Sequence, residues 1–474
     1  MNTVAVVRWG VFLLSAVFLI SCSDLVIRDL SYAPPHPTTK DSITFTAHVV
    51  NIGTSTAGAS KVAFKVGGET IAPRYDVPSL ASGESYTVQR KVKLDVAQNY
   101  QNTVTADVAD DVNELNENNN EARLFYTVTE PIPYRVGVYY YPWYAYDFHG
   151  GQYLRKHLVP PQLPELGEYN DRTDSVIAQH LAWSRYAGIQ FWVTSWWGPH
   201  SREDSTLLDY LLPYPGLEDM KIALFYETTG RTNNFTDYSN LGPDITYIAN
   251  HYFHHPNYMK IDGKPVLFVY LTRVLSGMGT QQSSITAMRN AATAAGFELY
   301  IVGDQVFGSP PAVLTNVGRL DAITNYDVYG SMGATGYATQ SDVNSYYAAQ
   351  AGWKVLADSL GWGFIPGASP GFNDKGVRPG HAPLSRKLAP DGTFGSLFRA
   401  MLRGAKGVVD SRLGNMIMVT SWNEWHEDTQ IEPVHKAAPT SVDDSPTGSD
   451  YTTGLPYEGY EMRYLEILRE ETDP

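Results

Sequence analysis

The stretch Met416-Ile-Met-Val-Thr420-Ser-Trp-Asn-Glu-Trp-His-Glu-Asp428 decides the reading of this chain. Its first part is a short apolar run with the character of a fully buried strand. It passes without a break into a loop of tryptophans and carboxylates. Buried strands of this kind belong to parallel sheets wrapped by helices, where chemistry gathers at the carboxyl ends of the strands. Glu424 and Glu427 stand three residues apart just past that end, so a helical turn there projects both carboxyls to one side. Two nearby carboxyls resist ionising together, which leaves a proton donor beside a base. Glycoside hydrolysis needs this division of labour. Lying between them, His426 can hold either carboxylate by a hydrogen bond.

Working outward, the same strand-then-loop pattern recurs after Tyr134. Strands are predicted over 136–141, 190–194, 221–226, 266–270, 300–302, 322–324, 363–366 and 416–420. Amphipathic helices lie between them. Val176, Ile177 and Leu181 form one apolar face before Gly188, and Ile285, Met288, Ala292 and Ala295 another before Gly296. Eight such units predict an α/β fold, a (β/α)8 TIM barrel, over residues 135–474. A doubly wound open sheet is the alternative, but no glycine-rich phosphate loop follows the first strand.

Other predicted strand ends carry Tyr139-Tyr-Tyr-Pro-Trp-Tyr144, Ser195-Trp-Trp-Gly198, Tyr226-Glu227 and Asn325-Tyr326-Asp327. Aromatic faces stack on the C–H surfaces of sugar rings, and carboxylates bond hydroxyls. Candidate glycan contacts are therefore Tyr140, Tyr141, Trp143, Trp196, Trp197, Glu227, Tyr326, Trp422, Trp425 and His426. No metal or other cofactor is expected. His426, Glu427 and Asp428 are adjacent and point apart, no paired-histidine motif supplies further ligands, and no Gly-x-Ser-x-Gly elbow occurs.

Before the barrel the composition changes. Alternating runs such as Ser42–Val50, Lys61–Val66 and Ser85–Val92 are separated by turns at Asn51-Ile-Gly53, Gly67-Gly68 and Ser82-Gly83. They predict an N-terminal all-β, immunoglobulin-like sandwich over 22–128, then a linker over 129–134 containing Glu130-Pro-Ile-Pro133. The acidic, Asn-rich run Asp110–Asn119 lacks calcium-loop spacing and reads as turns.

The single cysteine, Cys22, follows an apolar run preceded by Arg8. Leu19-Ile-Ser-Cys22 resembles a bacterial lipobox. Residues 1–21 are then a signal peptide, Cys22 is the lipid attachment point, and the protein faces an extracytoplasmic space of the cell envelope. An ordinary secretory peptide or an uncleaved anchor is the alternative. One cysteine allows neither an internal disulfide nor a thiolate metal cage. With 35 basic against 50 acidic side chains the formal charge is −15, which excludes nucleic acid as a natural partner. The expected partners are a polysaccharide or glycan and, through the lipid anchor only, a membrane.

Two family resemblances follow from these motifs. Asn51-Ile-Gly53, Leu80-Ala-Ser-Gly83 and Asp110–Asn119 make the first segment similar to the CARDB type of immunoglobulin-like module. The barrel segment resembles glycoside hydrolase family 99, the endo-α-mannosidase family. The resemblance rests on Gly137–Tyr144, Ala187-Gly-Ile189, Ser195–Gly198, Gly263-Lys-Pro-Val266, Pro370-Gly-Phe-Asn-Asp374 and Thr420–Pro433. It implies retaining, endo-acting cleavage of an α-mannoside without a covalent enzyme intermediate. Glu424 would deprotonate the substrate's 2-hydroxyl, which displaces the leaving group and forms a 1,2-anhydro sugar. Glu427 would protonate the departing oxygen and later activate water. Subsite residues map onto Tyr140, Trp197, Glu227 and Tyr326. Two departures fall at subsites. Phe225-Tyr-Glu-Thr-Thr-Gly-Arg231 lacks the family's proline, and Leu320-Asp-Ala-Ile-Thr-Asn-Tyr326 lacks its Asp-Gly. The competing expectations are a non-catalytic glycan-binding or adhesion lipoprotein, and a surface-polysaccharide assembly protein.

Overall fold

The computed structural model describes residues 22–472, apart from 35–36, 68, 70–71 and 131–132. The signal peptide, Gly68 and part of the predicted linker lie outside the described residues. The chain divides into two units, Met1–Ile132 and Pro133–Pro474.

In the first unit, strands Leu25–Ala33, Ser42–Asn51 and Ser85–Lys93 form one antiparallel sheet. Arg74–Val77, Ser60–Lys65, Gln98–Thr105 and Glu121–Val128 form the other. Alternation decides which side chains face inward: Ile43, Phe45, Ala47 and Val49 are fully buried. The Asp110–Asn119 run is built as turns. Asp107 accepts the N–H groups of Asp111 and Val112, Glu114 accepts that of Leu25, and Asn119 donates to Asp24. These side chains serve turn contacts within the run and hydrogen bonds to Asp24 and Leu25, about 90 residues away in the chain.

The second unit is a parallel barrel. Its strands are Arg135–Tyr140, Ile189–Trp196, Lys221–Tyr226, Lys264–Val269, Tyr300–Asp304, Ala322–Thr324, Gly363–Ile365 continued by Gly367–Ala368, and Met416–Val419. Each strand pairs with the next in parallel, and Met416–Val419 pairs back onto Arg135–Tyr140. The seventh strand is split at Pro366, which has no N–H to give to a ladder. Gly363–Ile365 pairs with Ala322–Thr324, Gly367–Ala368 pairs with Met416–Val419, and the Pro366 carbonyl accepts the Met418 N–H. The ring therefore closes across the break.

The helices pack their predicted apolar faces against this barrel. Val176, Ile177, Leu181, Ile285, Met288 and Ala292 are buried, and Ala295 is half-buried. Gly188 and Gly296 follow those two helices at φ +73° and +87°, in the left-handed region that favours glycine. Among the described residues, no helix is long and apolar enough to cross a membrane.

The structure corrects four of the expected glycan contacts, two of them through strand parity. Successive side chains point to opposite faces, so Tyr139 packs inside against Phe225 and Tyr326 while Tyr140 points outward. Tyr140 stacks on Trp192 and bonds His180 of helix Asp174–Tyr186. Trp196 also points outward, stacked on Tyr226 and donating to Asp204. Trp422 packs on His180, and Trp425 packs on Phe148 and Tyr153. All four are buried outside the cleft and serve as packing.

Candidate active site

The loop after the last strand begins by locking to its neighbours. The Trp422 N–H donates to the Tyr139 carbonyl (2.8 Å), and Asn423 exchanges two hydrogen bonds with the Tyr141 backbone (2.8 and 3.1 Å). The loop then winds into a 3-10 turn, Trp425–Glu427, capped by the Glu424 side chain. In a 3-10 turn residues i and i+3 eclipse. Glu424 and Glu427 thus share one side, as the spacing predicted, and the turn ends at Asp428 with φ +48°.

The two carboxyls have different surroundings. Buried Glu424 accepts from the His426 backbone N–H (3.0 Å) and faces His426 Nδ1 (3.1 Å). The other ring nitrogen, Nε2, meets the His149 carbonyl at 3.1 Å and must donate to it. Burial pulls the His426 pKa down, but the Glu424 hydrogen bond and charge outweigh it and leave it raised. Glu427 retains 21% side-chain exposure. Desolvation, reinforced by the charge of Glu424, pushes it up to about 7, with Arg378 opposing. Glu424 is held by the His426 N–H, while Glu427, despite Arg378, is pushed toward keeping a proton near neutrality. That asymmetry suits a base and an acid.

A third carboxyl completes the cluster. Burial pushes Glu227 up to about 8, with the charges of Glu424 and Glu427 adding to it. Its Oε1 accepts from Ser195 Oγ (2.7 Å), which in turn accepts from Trp197 Nε1 (2.9 Å). Tyr141 and Tyr326 share a short hydroxyl–hydroxyl hydrogen bond, and both feel the charges of Glu424 and Glu427. Trp143 stacks on His149, with ring centroids 4.5 Å apart, and approaches Tyr141 and His426. Tyr141, Trp143, Trp197, Glu227, Tyr326 and His426 therefore gather around the carboxylate pair.

Other residues in and behind the site were not singled out from sequence. Arg378 donates to Glu427 Oε1 and to Asp374 Oδ2, each at 2.5 Å, and the Asn373 N–H donates to the Glu427 carbonyl (2.7 Å). The sequence signal lay in Pro370–Asp374, which marked the family but carried no assigned role. Behind the loop, Arg155 and Arg386 clamp fully buried Asp428, at 2.5 and 3.2 Å. His180, Tyr169 and Trp425 surround Glu432, at 3.0, 2.8 and 2.9 Å. Among the described residues no group of three or more His, Cys, Asp or Glu is arranged to hold a metal ion. A surface cavity of about 910 Å³ lies among helices Gln340–Ser359, Ser396–Lys406 and Arg463–Thr472, and none of the candidate residues lines it.

Residues 134–452, more than half of the chain, match the sequence pattern of glycosyl hydrolase family 99. The chain belongs to that family. Its barrel is thus a glycoside hydrolase domain, and residues 22–123 before it match the CARDB family. The family 99 chain is 26% identical over 382 residues to a glycoprotein endo-alpha-1,2-mannosidase of Rattus norvegicus, covering 72% of this chain and 74% of that one. A solved structure described as a glycoside hydrolase-like protein shares the fold, with 22% identity and a TM-score of 0.51. It covers 73% of this chain and 96% of its own. The GH99 endo-alpha-mannosidase of Bacteroides thetaiotaomicron aligns at 21% identity and a TM-score of 0.48, covering 71% of this chain and 97% of its own.

Proposed function

We propose that this glycoside hydrolase is a retaining, endo-acting α-mannosidase in which the substrate's own 2-hydroxyl is the nucleophile. Glu424 takes the proton of that hydroxyl as O2 attacks C1. The C1–oxygen bond to the leaving sugar breaks, and Glu427 gives its proton to the departing oxygen. A 1,2-anhydro sugar results. Water then attacks C1, giving its proton to Glu427, while Glu424 returns its proton to O2. Two displacements at C1 give retention, and neither carboxyl has to reach the anomeric carbon.

The observation that carries this reading is the unequal environment of the pair: Glu424 accepts from His426, while Glu427 is pushed up to about 7. The similarity to proteins named endo-alpha-1,2-mannosidases supports the choice of sugar. Glu227, Trp197, Tyr141, Tyr326 and Trp143 line the site as substrate contacts. The test is reducing-sugar release from α-mannan. Wild type should be active, and an analogue lacking the 2-hydroxyl should be inert. Ready cleavage of that analogue would overturn the anhydro-sugar route. Inactivity on a broad α-glycan panel would favour a glycan-binding role instead.

The protein acts at the cell envelope, tethered through Cys22. Partly exposed Cys22 stands three residues ahead of the first sandwich strand, with its backbone bonded to Thr54, so a lipid there would leave almost no spacer before the domain. Radioactive fatty acid should label wild type and not Cys22→Ser. Equal labelling of both would remove the anchor.

A further inference from the structure

The segment after the seventh barrel strand carries three basic side chains at an even spacing, Lys375, Arg378 and His381. It lies on the loop side of the barrel, beside the acid Glu427. Asp374 organises it: its Oδ2 accepts from Arg378 Nε (2.5 Å) and meets His381 Nδ1 (2.7 Å). Arg378 reaches on to Glu427 with Nη2, and its Nη1 has no partner among the described residues. The Arg378 and His381 side chains are about half exposed, and Lys375 is spent only on the Pro379 carbonyl (2.9 Å). A cavity of about 320 Å³ adjoins them, lined by Lys375, His381, Gly336, Pro383, Thr453 and Leu455. Tyr329 and Phe372 stack 3.9 Å apart beside it, with the Tyr329 hydroxyl bonded to the Ala382 carbonyl.

This lip stands out in an acidic chain: Arg378 and His381 both meet Asp374, and Lys375 lines the cavity beside them, while the Asp327 charge also reaches Glu427 and Tyr329. The cavity is joined to Glu427 through side chains: His381, which lines it, meets Asp374, Asp374 accepts from Arg378, and Arg378 donates to Glu427. A lysine ammonium beside a cavity binds anionic oxygens better than neutral hydroxyls, because hydrogen bonds between charged groups are shorter and stronger, and an imidazole N–H adds a second donor.

We propose that this cavity is a leaving-group subsite for a sugar bearing an anionic substituent, a carboxylate or a phosphate. The inference rests on the α-mannosidase reading and adds a charge preference to it. Lys375 and His381 would hold the anion, with Arg378 shared between it and Glu427.

The experiment compares matched α-mannosides whose leaving sugar is neutral, a uronate or a 6-phosphate, and reads the ratio of kcat/KM for each charged substrate over the neutral one. Wild type should favour at least one charged form about tenfold, the scale of one charge-assisted hydrogen bond. The preferred form tells carboxylate from phosphate. In Lys375→Gln/His381→Gln the ratio should fall toward one, and added salt should lower it in wild type. Equal rates on all three substrates would overturn the charge preference while leaving the α-mannosidase reading intact, as would a wild-type ratio that the double variant keeps. Failure to cleave any of them would instead strike the α-mannosidase reading.

Discussion

The loop Ser421–Glu432 holds four carboxyl side chains, and its two faces treat them in opposite ways. On the back, Asp428 is clamped by Arg155 and Arg386, and Glu432 is surrounded by His180, Tyr169 and Trp425. On the front, Glu424 and Glu427 share one side of a 3-10 turn, and Glu427 is pushed up to about 7. The residue types are the same; the partners differ. A carboxylate enclosed by fixed donors is an anchor, whereas one desolvated beside a like charge, with Arg378 opposing but not cancelling these effects, keeps a proton it can give away. The rigid back makes the strained front possible, because it fixes the turn that holds the two front carboxyls together.

The sharpest way to break this contrast is to remove one carboxyl from each face. Glu427→Gln should lower kcat/KM on α-mannoside about 10²–10⁴-fold, the usual contribution of general acid–base catalysis, with the melting temperature little changed. Asp428→Ala should do the reverse in stability. It strands Arg155 and Arg386 in the interior, and breaking a buried ion pair costs about 3–5 kcal/mol. Denaturant unfolding of the two variants settles the matter: equal losses of stability would mean the faces do not differ.

How much of this was legible in the sequence follows the same division. The strands were readable because fully buried parallel strands are apolar throughout, as in Met416–Val419. Glu424 and Glu427 were readable because a spacing of three is a local property. Their partners were not. Arg378 lies 49 residues from Glu427, and His180 lies 252 residues from Glu432. Nothing local joins such pairs; the barrel does. Tyr140 and Trp196 were misassigned for a different reason. Aromatic residues occur consecutively in both motifs, so the period-2 alternation that sends Tyr139 inward and Tyr140 outward leaves no polar–apolar mark.

A smaller effect tests whether the back face is overdetermined. Tyr169→Phe deletes one donor to Glu432 and leaves those from His180 and Trp425. A hydrogen bond to a charged group is worth about 1.5–3 kcal/mol, below the loss expected for Asp428→Ala. Unfolding free energy should fall by that amount while the pH dependence of kcat/KM keeps its shape. A displaced pH profile would show that the back face reaches the reacting carboxyls and that the two faces are not separate.

The subtlest prediction concerns Arg378, the cation that donates to Glu427. Arg378 opposes the desolvation and the Glu424 charge that together raise Glu427. The other groups acting on Glu427 include the Asp327 charge, and Tyr141, Tyr270, Tyr326, Glu227 and His426 all couple to it. In its proposed role as the acid, Glu427 must be protonated, so kcat/KM should fall as pH rises through about 7. Removing the cation in Arg378→Gln leaves the raising influences unopposed, and the alkaline limb should move to higher pH by about one unit or more. The same raised pKa acts on stability. The folded state holds a proton the unfolded chain releases near its ordinary value, so this contribution is complete below about 4.5 and is lost as pH rises through about 7. In Arg378→Gln the loss should start at the same pH but extend to higher pH and grow larger. An alkaline limb that stays in place would mean Arg378 does not set the charge of Glu427, and the front face would then owe its proton to Glu424 and desolvation alone.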